Sequence, residues 1–220
     1  MNHKKLKTIL KFYWYMISEN KIVEKSSALY AKYGIKGVSV DDVAFVLGIS
    51  KKTLYEYIEN KNVLIQKVVD NNLSTFFDKV TEKAEEESDI FKSLCLIYLN
   101  IIREVKKINP SYIHDLKKYH HKQYRKIVEF RDHKLYKTIE NLINQGIKTG
   151  IFRNDLDMQY VYVNQMSKVS ILLFDSFFEC KEQPSVQDIY KMILNDIRGI
   201  TTLKGHEIFD LNYDDLLQLK

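Results

Sequence analysis

Residues that break regular structure are scarce in this sequence. Only 2 of its 220 residues are proline and 7 are glycine, whereas a β-rich domain of this length would need many more turns. The 2 cysteines, Cys95 and Cys180, lie far apart and form no CxxC pair. A disulfide framework and a zinc site are therefore not expected, and a reducing cytoplasm is the natural compartment.

Long apolar segments are also missing. Lys4, Lys5 and Lys7 precede an apolar stretch over residues 8–17, which at first resembles a signal peptide. Lys11 interrupts that stretch, however, and no small-residue cleavage site follows it. The stretch is also too short to cross a bilayer. We therefore expect neither export nor a membrane anchor.

The overall composition is that of an ordinary globular protein. Hydrophobic residues make up 45% of the chain and charged residues 29%, which excludes a disordered chain. The net charge of +5 is mild. It permits a nucleic-acid partner without requiring one, so the placement of the basic residues matters more than their number.

Apolar residues recur at helical spacing almost throughout, which predicts an all-α protein of about nine helices. The expected helices run roughly over residues 22–33, 40–47, 51–58, 62–87, 89–108, 110–120, 121–148, 158–179 and 185–205. The chain divides into four regions, which are an N-terminal arm or helix extension (1–20), two helical domains (21–67 and 68–205) and a C-terminal tail (206–220).

Residues 39–61 carry the most specific pattern in the chain. Ala44 is small at a point where a second helix must cross closely, and Gly48 follows four residues later, where the chain turns sharply. Ile49 fills the angle between the two helices, and Leu54 faces back onto the first of them. Two short helices joined by a tight glycine-containing turn form a helix-turn-helix.

The second helix of this motif suits a DNA groove. Ser50 can cap it, and Lys51, Lys52 and Thr53 follow at its N-terminus, nearest to the base edges. The predicted DNA contacts are Ser39, Ser50, Lys51, Lys52, Thr53, Tyr55, Tyr57 and Lys61. Taken alone, the lysines could equally be a solvated helix surface. The surrounding spacing favours DNA binding.

The stretch from Lys21 to Leu64 resembles the DNA-binding domain of the TetR family of repressors. The resemblance rests on Gly34, Ser39-Val40, Ala44, Gly48-Ile49-Ser50, Leu54-Tyr55-Glu56-Tyr57-Ile58 and Lys61. The chain departs from the family at Lys52, where the family usually has Gly, and at Ile58, where it has Phe. A weaker similarity runs from Leu142 to Arg153 and over Arg198-Gly199-Ile200.

This resemblance implies a ligand-responsive repressor that binds operator DNA as a homodimer and is released by a small-molecule inducer. Residues 21–67 would then be the DNA-binding domain and residues 68–205 the ligand-binding and dimerisation domain. It implies dimerisation through the last two long helices, with Val169, Leu172, Leu173, Phe177, Ile193 and Ile197 as candidates. It also implies a ligand pocket among helices five to eight, with Tyr98, Ile102, Tyr112, Tyr119, Tyr124, Phe130 and Tyr162 as candidate contacts. An aromatic stripe at helical spacing is more often core than pocket.

Other functions and roles remain open or are disfavoured. A helical small-molecule or lipid-binding protein with a non-functional helix-turn-helix is the alternative. No catalytic, phosphate-loop or metal-ligand motif stands out, so neither an enzyme nor a cofactor is expected. His114, His120 and His121 are possible polar anchors for a ligand, without metal-binding spacing. The basic N-terminus could follow DNA phosphates, although Phe12 and Trp14 favour packing on the first helix.

Overall fold

The computed structural model describes residues 18–173 and 184–219. The residues up to 17, which hold most of the predicted N-terminal arm, lie outside this range, as do Phe177 and Cys180. Within the described residues the fold is all-α, as predicted, and the one β-type contact is a single antiparallel pair between Phe152 and Thr201. No helix among them is both long and apolar enough to span a membrane.

The chain forms two compact units. The first holds the described residues up to Asn72 together with Ser111–Gln123, and the second holds Leu73–Pro110 and the described residues from Tyr124 onward. Each of the three points of division falls within a helix. The domain boundaries expected from the sequence follow the chain in order and place residues 111–123 in the C-terminal domain, whereas the contacts group them with the N-terminal helices.

The N-terminal unit contains three short helices, the first part of a long one and a helix from later in the chain. In order these are α1 (Glu19–Tyr33), α2 (Val40–Leu47), α3 (Lys51–Tyr55), the start of α4 (Lys61–Glu85) and α6 (Pro110–Tyr119). Their apolar faces are buried, with Ile22, Val43, Leu54, Leu64 and Val68 completely inaccessible. This burial holds the short helices in place, since helices of this length are not stable alone.

The C-terminal unit has one continuous apolar core. Its helices are the rest of α4, α5 (Ile90–Lys106), α7 (His121–Glu129), α8 (Tyr136–Lys148), α9 (Met158–Ser170), α10 (Val186–Gly199), α11 (Leu203–Leu211) and α12 (Tyr213–Leu217). Helix α5 is at the centre, packed against α8, α9 and α10. Its Phe91 makes edge-to-face contacts with Phe152 and Phe209, a favourable arrangement for buried rings.

Several details of this unit differ from the sequence-based expectation. The helix expected from residue 158 ends at Ser170, and the helix expected over residues 185–205 ends at Gly199, with α11 beginning at Leu203. The helix predicted over residues 121–148 is interrupted by a π-helical turn, Phe130–Leu135, between α7 and α8. The tail predicted at 206–220 is not separate, because α11 and α12 bury Phe209 and Leu216 in the core, and the Tyr190 hydroxyl donates to the Leu216 carbonyl at 2.8 Å. These helices continue the C-terminal unit.

Candidate nucleic-acid interface

Helix α2 begins and ends at the residues that the sequence indicated. The Ser39 hydroxyl accepts from the Asp42 N–H at 3.1 Å, and the Asp42 carboxylate accepts from the Ser39 N–H at 2.7 Å, which is a complete capping box. The hydrogen bonds from Ser39 lower the pKa of Asp42. Gly48 ends the helix in the left-handed conformation, with φ of 68° and ψ of 30°, which few residues other than glycine adopt without strain.

The turn after α2 sets the angle between the two helices of the motif. The Ile49 N–H donates to the Ala44 carbonyl at 3.0 Å, which satisfies one of the carbonyls left free at the helix end. Helices α2 and α3 pack on each other, with Val43, Ala44 and Leu54 buried. The predicted helix-turn-helix is therefore present, and α3 is its second helix.

The N-terminal tip of α3 is presented to solvent. The Ser50 hydroxyl accepts from the Thr53 N–H at 3.0 Å, and Ser50, Lys51 and Lys52 are all exposed. Lys51 forms an ion pair with Asp41 at 3.0 Å. That carboxylate raises the pKa of Lys51 through a hydrogen bond and its charge, so the side chain stays cationic.

The remaining predicted contacts surround this tip to different degrees. Ser39 and Tyr55 are exposed, while Thr53 and Tyr57 are half-buried. Phe45 on α2 is 85% exposed. The sequence-based contacts did not include Phe45, although its place opposite the inward-facing stripe of Val43, Ala44 and Leu47 already indicated an outward direction.

Lys61 occupies a different position from the one expected. Its ammonium donates to the carbonyl oxygens of Ile35 and Val38, at 2.8 and 2.5 Å, and the residue is half-buried. Partial burial lowers the pKa of Lys61, while Asp115 and Asp42 raise it. In the structure this side chain holds the backbone that precedes α2, and a phosphate contact by Lys61 stays a prediction.

The predicted ligand contacts fall into two groups. Tyr112 and Tyr119 belong to the N-terminal unit, where Tyr112 is buried and hydrogen-bonds Asn72 and Tyr119 is exposed beside Lys36. Burial raises the pKa of Tyr112 to about 12. These two residues take part in the structure of that unit, and a ligand role for them has no support from these contacts.

The other five candidates lie in the C-terminal unit: Tyr98, Ile102, Tyr124, Phe130 and Tyr162. Ile102 is completely buried, while Tyr124 and Phe130 are half-buried. The Tyr162 hydroxyl donates at 2.7 Å to the carbonyl of Arg131, which lies in the π-helical turn. Such turns often occur at functional sites.

Gln165 on α9 is a buried polar residue that sequence reasoning missed. Its amide oxygen accepts from the Tyr98 hydroxyl, while its amide nitrogen has no hydrogen-bond partner among the described residues. Tyr98 is also completely buried, and this burial raises the pKa of its hydroxyl well above the ordinary value. An unpaired buried donor costs about 1–3 kcal/mol, so the Gln165 amide nitrogen is an uncompensated polar group in the core of this unit.

A cavity of about 340 Å³ lies elsewhere in the same unit, between α4, α5 and α8. Polar side chains such as Thr81, Ser93 and Gln145 line much of it, and none of the predicted ligand contacts does. No cluster of three metal-ligating side chains occurs in the described part of the chain.

The predicted dimer residues are mostly interior. Ile193 and Ile197 are 0% exposed, and Val169 and Leu172 are also buried within the single chain, so these four offer almost no surface to a second chain. Leu173 is half-buried, and Phe177 lies outside the described residues. The apolar side chains that α9 and α10 do expose are Tyr160, Val163 and Met192.

The sequence is similar to known transcriptional repressors. No family model matches the chain. The HTH-type transcriptional repressor KstR2 of Mycobacterium tuberculosis is 22% identical over 144 residues, which cover 64% of this chain and 72% of KstR2. The relatives of this kind are regulators rather than enzymes.

Solved structures share the fold. A TetR-family transcriptional regulator from Cytophaga hutchinsonii matches with a TM-score of 0.69 and 18% identity, covering 84% of this chain and 94% of that protein. AibR, solved in complex with isovaleryl coenzyme A and operator DNA, matches with a TM-score of 0.60 and 16% identity, covering 83% and 97%. The TetR-type fold predicted from the sequence is confirmed.

Proposed function

We propose that this chain, which has the fold of TetR-family regulators, is a ligand-responsive transcriptional repressor of the cytoplasm. The observation that carries this proposal is the exposed tip of α3, where Ser50, Lys51 and Lys52 project from a helix whose opposite side is fixed by the buried Leu54. A basic, hydroxyl-bearing helix end held by a packed partner helix is what a major groove accepts.

The side chains at this tip divide into two chemical roles. Lys51 and Lys52 can donate to guanine O6 or N7, which supplies sequence specificity. The hydroxyl of the exposed Tyr55 can donate to a phosphate oxygen, which sets the register of the protein on the duplex. Curated relatives such as KstR2 are helix-turn-helix repressors, which supports DNA as the partner.

A homodimer is part of this proposal. We call the helix-turn-helix of each chain, α2 and α3, its reading head. Two reading heads must reach successive major grooves about 34 Å apart, so one chain alone reads only half of an operator. The exposed Tyr160, Val163 and Met192 on α9 and α10 supply apolar surface that a second copy would cover. Ile193 and Ile197 are buried in the core of the same chain and are not part of that surface.

The inducer would bind in the C-terminal unit, near Gln165. An apolar molecule carrying a carbonyl or carboxylate would satisfy the unpaired amide nitrogen of Gln165 and contact the rings of Tyr98 and Tyr162. Release from DNA then follows if the ligand binds more tightly to a form of the dimer whose two reading heads are wrongly spaced for the operator. The loss of DNA affinity cannot exceed the ligand's preference for that form. AibR, with an acyl coenzyme A and operator DNA bound, is a neighbour that carries both kinds of ligand.

Binding to DNA from the protein's own upstream region tests the proposal. The logarithm of the affinity should fall linearly with the logarithm of the salt concentration, with a slope of about −0.9 for each phosphate neutralised. A scrambled fragment of equal length is the control and should bind more weakly. Absence of any salt-sensitive binding would favour the alternative, a helical ligand-binding protein whose helix-turn-helix does not read DNA.

A further inference from the structure

A short connecting loop, residues 34–38, joins α1 to the helix-turn-helix. It begins at Gly34, whose φ of 75° turns the chain out of α1, and it ends at Val38, directly before the Ser39 cap of α2. The position of this loop therefore fixes the position in space of the first turn of α2. Because α2 and α3 are packed together, the loop also sets the position of the α3 tip.

Helix α6 holds the loop from one side through Asp115. The Asp115 carboxylate accepts from the Lys36 N–H at 2.7 Å and is 6% exposed. The two residues are 79 positions apart in the chain. A Cβ added to Gly34 would lie 3.0 Å from the Ser111 Cβ and 3.2 Å from the Asp115 carboxylate, so the loop backbone lies directly against α6. A hydrogen bond to a carboxylate is stronger than one between neutral groups.

Lys61 holds the same loop from α4. Its ammonium donates to the carbonyls of Ile35 and Val38, at 2.8 and 2.5 Å. Two side chains of opposite charge therefore bind the loop backbone. Asp115 of α6 binds an N–H, and Lys61 of α4 binds two carbonyls. Backbone groups in a loop would otherwise be satisfied by water, and water would not hold the loop in one position.

We propose that Asp115 and Lys61 are positioning residues for DNA reading, which clamp the connecting loop and thereby hold the α3 tip ready for a groove. This inference rests on the proposed function. It assigns α6 to the support of the reading head, although α6 lies outside the helix-turn-helix in sequence. It also reassigns Lys61, expected as a phosphate contact, to a role in which it does not touch DNA. Any movement of α6 away from the loop breaks the Asp115–Lys36 hydrogen bond.

The test measures the affinity of the full-length protein for its upstream DNA fragment over a salt series. Asp115→Ala and Lys61→Met should each lower the affinity at least tenfold at fixed salt, with the salt slope unchanged, because no phosphate contact is lost. Asp115→Asn keeps an acceptor for the Lys36 N–H and should lose less. The matched control is Tyr190→Phe, which removes a buried hydrogen bond to the Leu216 carbonyl in the C-terminal unit and should bind as the wild type does.

Three results overturn the positioning role. If the salt slope of Lys61→Met is shallower than that of the wild type by about 0.9 per subunit, Lys61 contacts a phosphate instead. Wild-type affinity in Asp115→Ala shows that the clamp does not matter. An equal loss of affinity in Tyr190→Phe shows a general effect of lower stability. If circular dichroism shows Asp115→Ala unfolded, the same comparison is made with Asp115→Asn. Absence of binding by the wild type refutes the regulator function itself, which distinguishes that failure from these three.

Discussion

The double variant Lys51→Ala with Tyr55→Phe tests the reading helix with little disturbance of the fold. Lys51 is exposed, and its contact within the protein is an ion pair with the exposed Asp41 at 3.0 Å. Exposed ion pairs of this kind contribute little to folding. Tyr55→Phe removes a hydroxyl and keeps the ring, which is 44% exposed. The melting temperature should therefore change by no more than about 3 °C.

The loss in DNA affinity should be much larger. Each head loses one candidate base contact and one candidate phosphate contact, and a homodimer carries two heads, so we expect roughly 10²-fold weaker binding or more. Because Lys51 is assigned to a base edge and Tyr55 carries no charge, no neutralised phosphate is lost, and the salt slope should stay close to the wild-type value. Fluorescence anisotropy with a labelled upstream fragment measures both quantities.

A matched control removes the same charge elsewhere. Lys148→Ala, at the exposed C-terminal end of α8, should leave both the affinity and the salt slope close to the wild-type values. If the double variant bound as tightly as this control, α3 would not be the reading helix and the reasoning from its exposed tip would be refuted.

Three further predictions concern the fold. Gly48→Ala should lower the free energy of unfolding, measured with denaturant, by about 1 kcal/mol. The cause is the φ of 68° at this residue, since no described atom lies within 4 Å of the new Cβ. An unchanged free energy of unfolding would contradict the left-handed turn. Gly146→Ala should cost about 1–3 kcal/mol, because its Cβ would lie 2.2 Å from the Phe152 ring; an unchanged midpoint would contradict that packing. Burial raises the pKa of the Cys95 thiol to about 12, and the thiolate is the form that reacts with Ellman's reagent. In a Cys180→Ser background Cys95 should therefore not react at pH 8 until denaturant is added. Rapid reaction of the native protein would contradict the burial of Cys95.

Local signals in the sequence predicted the helix-turn-helix well. The caps of α2 and α3 are formed by Ser39 and Ser50, each bonding to an N–H three residues later. The left-handed turn falls on Gly48. All of these depend on residues within a few positions of one another, and the bounds of α2 were therefore predictable to the residue.

Features that depend on distant parts of the chain were not predictable in the same way. Lys61 binds carbonyls 26 and 23 residues away, and Asp115 binds an N–H 79 residues away. No periodicity in the sequence identifies such partners. Lys61 was predicted as a DNA contact from its residue type, its place at the start of the next helix and the family pattern, none of which reveals these partners.

The same limit applies to the C-terminal unit. Ile193 and Ile197 were predicted as dimer contacts, and both are completely buried within the single chain. Apolar spacing does not distinguish a face buried in the chain's own core from one buried by a second chain. Gln165 carries no local signal either, since its importance arises from the Tyr98 hydroxyl contributed by α5. The π-helical turn at Phe130–Leu135 likewise has no proline or glycine to mark it.

Methylation protection of guanine N7 on the upstream DNA tests the central claim most directly. With α3 in the major groove of each half-site, the bound homodimer should protect guanines in two successive major grooves, about 34 Å apart along the duplex. Lys51→Ala should lose that protection. A bound complex that leaves every guanine N7 reactive, or protects only the minor groove, would contradict the assignment of α3 as the helix that reads DNA.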